Sequence, residues 1–288
     1  MLGRDGLLGH ALFASLSAAP GFEVWGTRRP GRSGGIGLEA EEGKDGLRRA
    51  VVAAGPPAFV VNAIGLRADR IDEDDPASVR AAVRVNAQFP NDLALVAEEM
   101  SLRVIHVSTD AVFAPNAGRC LEDTPVSAAG VYGETKGRGE AASPQVLNLR
   151  CSFVGPDPEG GRGLFEWFRR QPKGSRVTGF VDQRWNGVTT AQLADLTRLL
   201  ALPATFDAVR AEGPVHHFCP NRSLSKHELL LLFKEALRSD VEVVAGTSRA
   251  PSNRELGTRL RSLPALMGRD LPMESAVRRM VMDLGGVS

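Results

Sequence analysis

Short β-branched runs alternate with longer segments of helical period through the first half of this chain, and that alternation limits the folds open to it. "GFEVWGT" (21–27), "PAFVVNAIG" (57–65), "LRVIHVSTD" (102–110) and "QVLNLRCSFVG" (145–155) read as strands bounded by turn residues. "LLGHALFASLSA" (7–18), "DGLRRAVVAA" (45–54) and the stretches 79–100 and 133–142 read as helices. Apolar strands separated by helices predict an α/β fold: a Rossmann-like, doubly wound parallel sheet with helices on both faces. Beyond about residue 155 helices such as "TTAQLADLTRLLAL" (189–202) and "SKHELLLLFKEAL" (225–237) dominate, with the short strands "VHHFC" and "VEVVAG" between them. The pattern predicts a dinucleotide-binding domain over 1–155. A smaller, mainly substrate-binding α/β region over 156–288 would lie at the carboxyl edge of the sheet, where open α/β folds take ligands.

Composition removes several function classes. Thirty-five basic residues against 34 acidic ones leave a net charge of +1, too little to favour nucleic acid or an anionic membrane as partner. No apolar run approaches the ~20 residues that span a bilayer. Glycines and charges interrupt the first residues, so no signal peptide is read there and a cytoplasmic location is expected. Cys120, Cys151 and Cys219 are widely spaced without a CxxC pair, which suits buried thiols in a reducing compartment. His216 and His217 are adjacent, so on a strand they face opposite sides, and no metal site is read. "RELGTRLRSL" (254–263) reads as a solvated helix face.

The chain opens "MLGRDGLLGH", with Gly3, Gly6 and Gly9 at intervals of three ahead of a helical run. Glycines let a backbone approach a pyrophosphate, and the helix that follows offers free N–H groups and its dipole, with Leu7 and Leu8 supplying its first amides. A triplet of this kind is weak by itself and gains weight from its place at a first βα turn. Met1 and Leu2 alone precede it, so either most of the first strand lies ahead of Met1 or the strand is a stub. Where an NAD site carries a carboxylate, the second strand ends in Arg28 and Arg29, which suit a 2′-phosphate; NADP(H) is expected over NAD(H). Asn62, Ala63, Ile64 and Gly65 end the third strand at the same edge, and Ser108, Thr109 and Asp110 end the fourth.

The only tyrosine of the 288 residues, Tyr132, stands four residues before Lys136 in "GVYGETKGRGE". On a helix the two share a face, as either a surface decoration or a proton-transfer device. The glycine triplet, "VNAIG", "VSTDAVF", "VYGETKGRGE" and "LRCSFVG" occur in the order of the extended short-chain dehydrogenase/reductase family, which the chain resembles from Gly3 to about Gly155. Within that family it is most similar to the dTDP-4-dehydrorhamnose reductases and related sugar-nucleotide reductases. "DQRWNGVTTAQLADL" and "HHFCPNRSLSKHELLLLF" continue the likeness more loosely.

The resemblance implies catalysis by Thr109, Tyr132 and Lys136, with Asn86 of "RVNAQ" beside them and NADP(H) as cofactor. It also implies NADPH-dependent reduction of a keto group on a nucleotide-activated deoxysugar, with a homodimer as the possible assembly. Tyr132 would be the proton donor, its pKa lowered by the neighbouring ammonium and a cationic nicotinamide. Lys136 would also hold the nicotinamide ribose. Asp110, Arg150, Arg184 and Trp185 are the candidate substrate contacts. The Asp-Glu pair of related 4,6-dehydratases is absent, since Asp110 is followed by Ala111, which argues against dehydration. An epimerase of the same fold and a non-catalytic NADP-binding regulatory subunit stay open as rival readings.

Overall fold

The computed structural model describes residues 1–55, 57–161 and 163–285. Helix α1 (Leu7–Ala18) leads to a short parallel pair, β1 (Thr27–Arg28) with β2 (Ile36–Gly37), then to α2 (Gly43–Ala53) and β3 (Phe59–Asn62). Next come α3 (Pro76–Ala82) and α4 (Phe89–Met100), joined through one wide π-turn (Val83–Gln88), then β4 (Arg103–Val107), α5 (Val131–Arg138) and β5 (Val146–Arg150). The second half supplies β6 (Phe153–Val154), α6 (Gly163–Arg169), β7 (Arg176–Phe180), β8 (Gln183–Trp185), β9 (Val188–Thr189), α7 (Thr190–Leu200) and α8 (Pro203–Glu212). It closes with β10 (Val215–His217), β11 (Leu224–Ser225), α9 (Lys226–Leu237), β12 (Glu242–Gly246), β13 (Ser252–Arg254), α10 (Ser262–Met267) and α11 (Met273–Gly285).

The main sheet runs β10-β5-β4-β3, all parallel. Beside β3 the place of a first strand is held by Met1 and Leu2. Leu2 N–H donates to Val61 O at 2.8 Å and its carbonyl accepts from Ala63 N–H, while on its other side Thr27 N–H donates to Met1 O. The sheet therefore continues across one residue to β1 and β2, and the winding reverses at that stub. Successive strand residues go to opposite faces. Val61, Ile105 and Leu147 pack with Leu12 of α1 and Leu193 and Leu196 of α7. Val60, Val104 and Val146 pack with α2 and α4 through Leu47, Phe89 and Leu93. Burial on both faces is why these strands read as unbroken apolar runs.

Three elements from beyond residue 155 complete this layer: β10 pairs with β5, and α7 and α8 cover one face of the sheet. A separate core forms from α6, α9 and α11, with Phe165 set edge-on to Phe233 at 5.2 Å. The helix starts obey local chemistry. Thr189 and Ser225 cap α7 and α9 in reciprocal boxes with Gln192 and Glu228. "RELGTRLRSL" is helical only at its last two residues, where α10 opens: before them it runs from the end of β13 through a bridge between Cys120 and Leu256, and Leu256 is 3% exposed. That leucine needs cover, and the parallel bridge supplies it. No helix among the described residues is long and apolar enough to cross a membrane.

"GFEVWGT" is a strand only at its end. Residues 20–25 border an apolar cavity of about 690 Å³, walled opposite by residues 57–61 and closed by Met1. The Met1 ammonium donates to Trp25 O at 2.8 Å, and burial pushes its pKa down to about 6. Without a neighbour to bond, residues 20–25 keep no ladder. Adding about five β-branched residues ahead of Met1 should fill the cavity, replace the amine by an amide, raise Tm by ~5 °C and tighten cofactor binding. With Met1 first, the unfolded chain (amine pKa 8.0) binds more protons than the folded one (about 6), so stability should rise from pH 6 to pH 8. Thermal melts of both versions across that window check this; an unchanged Tm would mean that the stub suffices.

Candidate active site

The glycine turn is built for close approach. Gly3 holds φ +78°, the left-handed region, and its N–H donates to Thr27 Oγ1 at 3.0 Å. A Cβ on Gly9 would stand 2.0 Å from Gly3 O, so α1 can follow the turn this tightly only with glycine there. Gly6 caps α1 without a side-chain hydrogen bond, and the first turn carries no acidic residue. The first amides therefore lack a side-chain cap, which fits a pyrophosphate. Leu8 faces the core, so only its backbone can serve such an anion; Leu7 is half-buried.

Arg28 stands beside this turn, with Nε 2.9 Å from Asp5 Oδ1 and Nη1 donating to Ser33 O. Asp5, from inside the glycine turn, occupies the side of Arg28 where a phosphate would compete. Arg29 is exposed. Arg4, which the sequence reading passed over, lies across Phe13 at 4.2 Å and donates to Gly34 O.

Asn62 is fully buried at the end of β3. Its amide nitrogen meets His106 Nδ1 at 3.1 Å, and its oxygen accepts Ile64 N–H. Asn62 thus shapes the turn through Ala63, Ile64 and Gly65 and leaves cofactor contact to the backbone there. Asn86, in the π-turn, is also fully buried. It accepts Leu66 N–H and donates to Leu66 O, both at 2.8 Å, and reaches Thr135 of α5 at 3.3 Å. It ties the β3 loop to the helix that carries the tyrosine; π-turns often sit at such places.

Thr109, Tyr132 and Lys136 converge at the carboxyl edge. Thr109 caps the short turn after β4 by accepting Ala111 N–H at 3.1 Å, its hydroxyl donates to Asp110 Oδ1 at 3.2 Å, and it lies close enough to the Tyr132 phenol to favour its ionised form. Tyr132 and Lys136 share one face of α5. Lys136 is buried, donates to Val107 O at 2.8 Å, and is pushed down to about 8 by loss of solvent, against which Glu140 acts. An ammonium has three donors, so two remain for a ribose. The expected lowering of the tyrosine pKa is not found. Burial raises it, with Asp110 acting in the same direction and Thr109 and Arg67 against. Lys136 is aimed at Val107 O, and the phenol stays protonated at neutral pH, the state an acid needs. Asp110 is buried and its own pKa is raised by burial, with Arg254 and Thr109 opposing.

The substrate side differs in its arginines. Arg150, read from sequence as a diphosphate contact, is buried in a bidentate pair with Glu140 (2.8 and 2.7 Å) and lies over Phe113. Arg184 pairs with Glu255 at 3.1 Å. Trp185 lines a cavity of about 500 Å³ with Gln183, Ser152, Lys226 and Arg254. Arg254, which acts on Asp110 from that cavity, stands in the segment read as a solvated helix, so its sequence context hid it.

A parallel sheet wound both ways, with a Thr-Tyr-Lys set beside a glycine turn at its carboxyl edge, defines an extended short-chain dehydrogenase/reductase. The model of the RmlD substrate binding domain matches residues 1–258, and the chain belongs to that family. A dTDP-4-dehydrorhamnose reductase of Streptomyces griseus is 33% identical over 174 residues, 59% of this chain and 56% of that protein. A dTDP-4-keto-6-deoxy-D-glucose reductase of Streptomyces niveus is 37% identical over 151 residues, 51% of each chain. The matches thus span about half the length of these curated relatives. The crystal structure of a Bacillus anthracis dTDP-4-dehydrorhamnose reductase in complex with NADP shares the fold, at 16% identity and TM-score 0.77 over 98% of this chain and 97% of that one.

Gly9→Ala should be severe for its size. The new methyl meets the Gly3 carbonyl at 2.0 Å, where neither backbone can yield without opening the turn. A loss of ~1–3 kcal/mol in denaturant unfolding is expected, with cofactor binding weakened further; a neutral result would refute the close packing.

Proposed function

We propose that the chain reduces a keto group on a nucleotide-activated deoxysugar with NADPH. The observation that carries this reading is the meeting of Thr109, a protonated Tyr132 and Lys136 beside an uncapped glycine turn. When bound, the nicotinamide supplies the hydride. Tyr132 gives its proton to the carbonyl oxygen as negative charge grows there, while Thr109 hydrogen-bonds that oxygen. Lys136 binds the nicotinamide ribose with the donors that Val107 leaves. Arg254 and Lys226 replace Arg150 as the cations for a diphosphate, and Trp185 offers an apolar wall to the sugar or base. Three free cysteines support a reducing, cytoplasmic setting, and a homodimer is the assembly to test. An intact Thr-Tyr-Lys set favours an enzyme over a binding subunit, because binding alone needs no phenol placed to give up a proton.

NADPH consumption with a panel of nucleotide-linked 4-keto sugars tests the reading directly; binding of both ligands without turnover would sink it. Tyr132→Phe should cut turnover at least ~10²-fold and leave cofactor affinity nearly unchanged. Selectivity should follow the second strand. NADPH should bind at least ~10-fold tighter than NADH, since a charge-assisted pair to phosphate is worth ~1.5–3 kcal/mol. Arg28→Asp should reverse that order in titrations at fixed salt, and equal wild-type affinities would remove the NADP preference.

A further inference from the structure

Glu140 is absorbed by no step above, yet it lies at the centre of the buried polar groups behind the site. It follows Gly139, the residue that ends α5. A Cβ on Gly139 would stand 2.1 Å from Asn86 O, so glycine lets the helix end press against the π-turn and carries Glu140 inward. Its carboxylate is 6% exposed. One oxygen accepts both Ser108 Oγ–H at 2.5 Å and Arg150 Nε–H at 2.8 Å, and the other accepts Arg150 Nη2–H at 2.7 Å. Ser108 directly precedes Thr109, and Val107, whose carbonyl binds Lys136, directly precedes Ser108. The tip of β4 is therefore held from the α5 side at two successive residues, and the third is the catalytic threonine.

The cluster extends past Arg150. His217 Nδ1 is 2.8 Å from Gly257 O, a group that can only accept, so the proton sits on Nδ1. Its Nε2 then accepts from Arg150 Nη1 at 3.4 Å. Gly257 lies three residues after Arg254. One chain of hydrogen bonds thus runs from the segment lining the substrate cavity to the strand tip that presents Thr109.

We propose that Glu140 is a positioning residue of the active site: it clamps the tip of β4 through Ser108 and supplies the counter-charge that keeps Lys136 an ammonium. The proposal rests on the reductase reading for its catalytic meaning. Lys136 is faced by His106 of β4, Cys151 after β5, Tyr132 on its own helix and the Glu140–Arg150 pair. Burial and the Lys136 charge hold His106 neutral. Burial pushes the Cys151 thiol up to about 12 and raises the Tyr132 phenol. Those three are uncharged in the working range, which leaves Glu140 as the charged neighbour that opposes burial at Lys136, with Arg150 held on Glu140.

The sign of the effect makes the test sharp. In ligand-free protein carrying 13C-labelled lysine, the Lys136 signal, assigned with Lys136→Arg, should titrate near 8. Glu140→Gln removes the anion and leaves Arg150 uncompensated, so the midpoint should fall by on the order of one pH unit. Arg150→Gln leaves Glu140 uncompensated, and the midpoint should rise. NADPH affinity at pH 8 should fall about tenfold in the first variant. Midpoints that stay fixed in both, or move the same way, overturn the proposal. Should those variants fail to fold, Ser108→Ala keeps the ion pair. It should lower kcat about tenfold, with KM for the sugar nucleotide and the Lys136 midpoint unchanged. An unaltered kcat overturns the clamp. A wild type that never turns over NADPH would sink the reductase reading while the titration still decides the counter-charge.

Discussion

The hydrogen bonds that Leu2 exchanges with Val61 and Ala63 join the two halves of the sheet. Everything at the carboxyl edge takes its place from that junction. Leu2 anchors Gly3, whose turn sends α1 across one face, and the winding reverses beside it. The reversal opens the crevice in which the α1 amides, the β3 loop and the tip of β4 meet. A single residue makes the connection, and an apolar cavity lies beside it between residues 20–25 and 57–61.

Around that crevice the chemistry is organised by burial. Desolvation pushes Lys136 down to about 8 and raises Tyr132, so the two groups titrate further apart than they would in water. In ligand-free protein the phenol is a proton donor in waiting, and its ammonium neighbour is held on Val107 O. Buried polar groups of this kind are expensive when unpaired. Glu140, Arg150, Ser108 and His217 satisfy one another, which explains how several ionisable groups coexist behind one strand tip.

The second half of the chain serves two masters. Helices α7 and α8 and strand β10 complete the nucleotide-fold sheet, while α6, α9 and α11 build a core of their own. The cavity with Trp185 and Arg254 is formed mainly by elements of this second half, with Pro115 from the loop after β4 and Ser152 from the chain leaving β5. The interleaving places Arg254 within electrostatic reach of Asp110 although 144 positions separate them in sequence.

Much was legible before any coordinates. Strand periodicity located β3, β4 and β5, since two-sided burial demands continuous apolar runs, and the 7–18 helix was read to its ends because glycine turns flank it. Tyr132 and Lys136 were legible because a helix brings i and i+4 to one face, a purely local rule. What local rules cannot reach came from tertiary structure. "GFEVWGT" has strand propensity but lacks a neighbour to bond, so most of it is no strand. "RELGTRLRSL" has a solvated charge pattern, yet a long-range bridge buries Leu256 and brings Arg254 to the site. Arg150 has the charge to bind a diphosphate, but Glu140 takes it. Residue type and local period therefore determined the sheet, the glycine turn and the Tyr132–Lys136 pair. Which charges face ligand and which face one another was decided only by the packed fold, because pairing energy depends on distance and burial, and neither is written in sequence order.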